Sequence, residues 1–159
     1  MDQSYLDLFP CALGRLVGNL WSLEWMLRNV LYRLEHPPHT SMGQSKPLFT
    51  ANVGDKFPVN ALTSYVSLSE LIDAFNKTPP VPIDRSLVTL RDTLAHGRVL
   101  CADPVWPNFV LAKMGRPTNG TVAVETFYDM SIHWMNSQIA RTREALEQAT
   151  ARYRELGGT

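Results

Sequence analysis

Cysteine is scarce in this chain: Cys11 and Cys101 are the only two among 159 residues, far apart and at no metal-ligand spacing. A disulfide framework and a zinc finger are thereby excluded, and two partly buried thiols are expected instead. Long apolar runs are also missing, so no membrane span is expected. The opening residues, MDQSYLDLFP, carry acid where a secretory signal would carry base, and a cytoplasmic protein is the resulting expectation. Net charge is absent as well, with 15 Lys plus Arg against 15 Asp plus Glu. Such a chain does not coat nucleic acid by bulk electrostatics, and any polyanion must be met by a local patch. There is no internal repeat and no low-complexity tract. What is present is ample apolar content, 45% of the residues with only 19% charged. That is too apolar for disorder and long enough for one domain with its own core.

Apolar periodicity places the elements. Leu13, Leu16, Leu20, Leu23, Leu27, Leu31 and Leu34 recur at three- and four-residue steps, which is one face of a long helix. It starts near Ser4 or after Pro10, and it must stop by His36 because Pro37 and Pro38 follow. Val17, Trp21, Trp25 and Tyr32 widen the stripe. Residues 37–60, rich in Pro and Gly, read as a long irregular connection. Tyr65, Leu68, Ile72 and Phe75 mark a short second helix that stops before Pro79. Ile83, Leu87, Leu90 and Leu94 mark a third, with Asp84 in its first turn and Gly97 at its end. Phe109–Met114 and Thr121–Tyr128 read as a small hairpin around Asn119-Gly120. Ser131–Leu156 is a long closing helix. These elements predict an all-α fold, an up-and-down bundle with two long helices and a small β-hairpin insertion.

One run carries chemistry: Leu90-Arg91-Asp92-Thr93-Leu94-Ala95-His96-Gly97-Arg98 places an arginine, an adjacent polar residue and a histidine at a helix end, with glycine directly after. This resembles the Arg-(four to six residues)-His motif of the HEPN superfamily, in which Ala-His-Gly is a frequent ending. The order of helices around it agrees. The resemblance implies a metal-independent endoribonuclease without a cofactor, whose site forms where two copies of the chain meet. A toxin or antiviral defence effector is the implied setting, with RNA as substrate and an antitoxin or defence-system protein as possible partner. The tyrosine-modified branch of the family has tyrosine where this chain has Arg98, so that mode of neutralisation is not expected.

The residue types suit the reaction. RNA is cut without metal when its 2′-hydroxyl is deprotonated and attacks the adjacent phosphate while the leaving 5′-oxygen gains a proton. Histidine transfers protons near neutrality, so His96 is the candidate acid or base. Arginine offers a permanent fork of donors to phosphate oxygens and to transition-state charge, so Arg91 is the candidate stabiliser. The two stand five positions and roughly 140° apart on an ideal helix, which makes one isolated helix a poor site. Asp92, four residues before His96, shares its face and can orient the imidazole. Gly97 would turn the backbone and leave that imidazole accessible.

Several residues keep two readings. Arg98, Lys113 and Arg116 are candidate RNA-backbone contacts, or for the last two simply a solvated turn. Glu24 forms an exposed pair with Arg28, or supports the cleft. His36 and His39 are loop histidines rather than metal ligands for want of a third ligand, and His133 is a packed or half-exposed one. Trp21, Trp25, Trp106 and Trp134 belong to core or dimer interface before base stacking. The arginines of the last helix alternate with glutamates as a solvated face. Two functions from different classes follow: the ribonuclease, and a non-catalytic module that binds RNA, a nucleotide or a protein partner.

Overall fold

The computed structural model describes residues 3–37, 48–78, 81–101 and 109–158. His39 and Trp106 lie outside these residues. Among the described residues the elements run α1 (Gln3–Glu35), α2 (Leu68–Phe75), α3 (Ser86–His96), β1 (Arg98–Cys101), β2 (Phe109–Met114), β3 (Val124–Asp129) and α4 (Ile132–Glu155). The strands form one antiparallel sheet in the order β1-β2-β3. The all-α expectation is therefore corrected to a mixed fold of helices with a three-stranded sheet.

The hairpin is real, but a third strand extends it. Residues Arg98-Val99-Leu100-Cys101 pair with β2 directly after α3, Arg98 opposite Ala112 and Cys101 opposite Phe109. Every residue of this strand is exposed, so no alternation of buried and solvated positions marks it. At the hairpin tip Asn119 and Gly120 both adopt positive φ, 51° and 78°, as a turn between twisted strands requires. Thr118 and Thr121 exchange both backbone hydrogen bonds around it.

The chain folds as two compact units, residues 1–22 with 84–146 and residues 23–83 with 147–159. In the first, Phe9 and Ala12 of α1, Leu111 of β2, and Met130 and Met135 near the start of α4 form a buried cluster. Phe9 and Phe109 rings lie 4.0 Å apart in tilted contact. Asn19 of α1, itself half-buried, donates to the Oγ1 of fully buried Thr142 of α4 at 3.2 Å. Helix α3 turns Leu87, Leu90 and Thr93 inward and packs on β2.

The second unit is built on Leu23, Leu27 and Val30 of α1 and on Leu68, Leu71, Ile72 and Phe75 of α2, all buried. Helix α2 begins later than its apolar stripe suggested. Ser67 caps it in a reciprocal box with Glu70, so Tyr65 precedes the helix and stands fully exposed. Asn76 at its end clamps Ile83 through two bonds, Nδ2 to the carbonyl at 2.9 Å and the Ile83 amide to Oδ1 at 2.8 Å.

Helix α1 starts at Gln3 and runs through Pro10, in line with the earlier of its two expected starts. Two smaller differences also stand. Helix α3 starts at Ser86, with Asp84 just before it accepting from the Ser86 amide at 2.8 Å. Cys11 and Cys101 are exposed, not partly buried. No helix among the described residues is long and apolar enough to cross a membrane.

Candidate active site

The end of α3 and the strand beside it bring three of the singled-out residues together. Asp92 and His96, one helical turn apart, face each other with 3.5 Å between Asp92 Oδ1 and His96 Nε2. The imidazole is 63% exposed. It also sits at the C-terminal end of α3. From β2, Lys113 donates to the other oxygen of the same carboxylate, Asp92 Oδ2. The bond from Lys113 holds the Asp92 carboxyl below its ordinary range, with the charges of Lys113, His96 and Arg91 adding to it against partial desolvation. The ammonium is raised in turn, first by its bond to Asp92.

A fourth member was not anticipated. Glu125 Oε2 lies 3.4 Å from Lys113 Nζ. It reaches there because the β2-β3 register breaks: Lys113 pairs with Thr126 and Met114 with Val124, which leaves Glu125 without an opposite residue. A bulge re-aims side chains in this way. No feature of the sequence signals it, because the register of a ladder depends on both strands at once.

Gly97 joins the helix to the strand, for a reason other than the expected turn. Its backbone is extended, φ −76° and ψ 170°, and its amide donates to the Thr93 carbonyl. A Cβ here would collide with that carbonyl oxygen and stand 2.8 Å from Leu111 Cδ1. Close passage of the chain over β2 demands glycine, not a left-handed conformation.

The remaining candidates lie elsewhere. Arg91 is exposed and lines a groove of about 200 Å³ with Val17, Leu20, Trp21, Leu94 and Ala95. That groove lies between α3 and α1, whereas Asp92 and His96 belong to the side of α3 that meets β2. Arg91 and His96 thus border different neighbours within one chain, while the charges of both act on Asp92. Arg98 pairs with Ala112 and so shares its sheet face, the one opposite Lys113 by strand alternation. Arg116 is exposed in the connection after β2.

Glu24 belongs to the second unit. There it accepts from Arg28 at 3.1 Å, and the Arg28 guanidinium also donates to the carbonyls of Ala61, Ser64 and Val66. The pair is half-buried, with side-chain exposures of 12% for Arg28 and 26% for Glu24. It organises a loop, which is more than the surface pairing expected of it.

Among the described residues no group of three or more His, Cys, Asp or Glu has the arrangement of a metal site. Comparison with protein-family models, with curated proteins and with solved structures yields no match.

Proposed function

We propose that the chain is an endoribonuclease of the HEPN type, acting as a toxin or defence effector. It would cleave RNA by attack of the 2′-hydroxyl in a cleft shared by two copies. The observation that carries this reading is the exposed His96 imidazole at the end of α3, paired with the Asp92 carboxylate. In this scheme His96 takes the 2′-hydroxyl proton or protonates the leaving 5′-oxygen, and Asp92 steadies the imidazolium formed in between. The guanidinium that meets the phosphate comes from Arg91 of a second copy, because the Arg91 of the same chain opens onto another face. A two-fold axis would bring both pairs together and concentrate cations that the neutral whole-chain balance hides.

Purified protein incubated with total RNA in chelator should generate fragments ending in 2′,3′-cyclic phosphate. His96→Ala should lower that rate by about 10²–10⁴-fold, the usual weight of a general acid or base. Its melting temperature should hardly move, since the side chain is mostly solvated. Undiminished cleavage by the variant removes His96 from the chemistry.

The different neighbours of Arg91 and His96 within one chain favour a second reading, a binding module without catalysis. It is supported if no RNA is cut while RNA binding weakens in Arg91→Ala and at raised salt.

A further inference from the structure

The sequence offers Lys113 as a cation for the RNA backbone, but its surroundings argue otherwise. The ammonium lies between two carboxylates, donating to Asp92 Oδ2 and standing 3.4 Å from Glu125 Oε2. A lysine so engaged carries little uncompensated charge to offer a phosphate. What it does control is the direction of the Asp92 carboxylate. Two torsions, χ1 and χ2, place the Asp92 oxygens relative to the helix, and Lys113 fixes Oδ2 from the strand side. The other oxygen, Oδ1, is left on the His96 side, 3.5 Å from Nε2. Glu125 anchors the ammonium from β3 in turn, through the residue that the bulge inserts.

We infer that Lys113 is a positioning residue: it holds Asp92 so that the carboxylate engages Nε2 of His96 and leaves Nδ1 as the nitrogen that exchanges a proton with the substrate. This rests on the ribonuclease reading for its catalytic meaning, while its structural part stands by itself. A neutral imidazole carries its hydrogen on one nitrogen, and a carboxylate beside Nε2 selects the tautomer with the hydrogen there. Nδ1 then presents a lone pair outward, as a general base requires. The charged groups around the imidazole are Asp92 on its own helix, Lys113 on β2 and Glu125 on β3. Arg91 borders the groove beside α1 and its charge also acts on Asp92, and Arg98 lies on the other face of the sheet.

The test pairs a spectroscopic reading with kinetics. In ¹⁵N spectra of the neutral histidine ring, the parent protein should show His96 with the hydrogen on Nε2 and Nδ1 bare. Lys113→Met should mix the two tautomers, Lys113→Arg should preserve the bias, and Glu125→Gln should weaken it. With a fluorescein-labelled single-stranded RNA of mixed sequence, Lys113→Met should lower kcat by about 10–100-fold, the scale of a misplaced catalytic group. The Kd for that RNA and its salt dependence should be unchanged, and Lys113→Arg should restore turnover.

The inference is overturned if the tautomer balance is the same in parent and Lys113→Met. It is equally overturned if Lys113→Met keeps kcat but weakens binding and lowers the salt slope by about one, which is the signature of a phosphate contact. Absence of cleavage in the parent would defeat the ribonuclease reading. The ring spectra would still decide whether Lys113 orients the pair.

Discussion

Asp92 and His96 were legible as a pair because helical spacing is local: four residues make one turn, and the two side chains do meet. The partner that most affects Asp92 was not legible. Lys113 is 21 residues away, and its arrival depends on where a strand lies against a helix, a long-range outcome that no local pattern encodes. Glu125 was hidden for the same reason, one strand further on. Gly97 is readable as a helix end, but the reason for glycine is not local, since the collision it avoids is with Thr93 and with Leu111 on the strand. Gly97→Ala should therefore destabilise the protein by about 1–3 kcal/mol, the range for forcing an atom into a packed contact. Chemical denaturation would show it, and an unchanged midpoint would contradict the close approach.

At the scale of elements, three- and four-residue apolar steps locate the four α-helices among the described residues because each presents a buried stripe, as Leu16, Leu20, Leu23 and Leu27 do on α1. Boundaries were less readable where capping decides them. Ser67 and Glu70 start α2 within a stripe that extends further back to Tyr65. Removing that cap with Ser67→Ala should cost about 1 kcal/mol, measurable as a lowered denaturation midpoint. Restoring it with Ser67→Asp should recover most of the loss, and a neutral alanine variant would argue that packing alone holds the helix. Strand β1 leaves no signal in the sequence because four exposed residues on a sheet edge bury no face and show no period. Without it the sequence reads as all-helical with a hairpin, whereas the fold is mixed.

For the molecule as a whole, neutrality of the chain conceals carboxylates that folding keeps ionised. Asp92 is lowered first by its bond from Lys113, Asp84 by the Ser86 hydroxyl with further help from Arg141, and Glu70 by the Ser67 side chain. A group whose folded value is depressed contributes stability above its unfolded value, and that contribution vanishes as pH falls through the folded one. Resistance to denaturant should thus be flat near neutrality and decline once the pH drops below about 4, the ordinary carboxylate value. Lys113 works in the opposite direction. Its raised value contributes below about pH 10.4 and is lost as pH climbs through the folded value. A denaturation midpoint that stays constant from pH 5 to pH 2 would contradict the acid limb.

The unpaired residue of the sheet has an evolutionary corollary. Because Glu125 occupies the extra place between Val124 and Thr126, losing one residue there would regularise the ladder and strip the lysine of its second anchor in a single event. Gain or loss of that anchor in descendant chains would therefore be recorded as an indel, and a tally of replaced amino acids would overlook it.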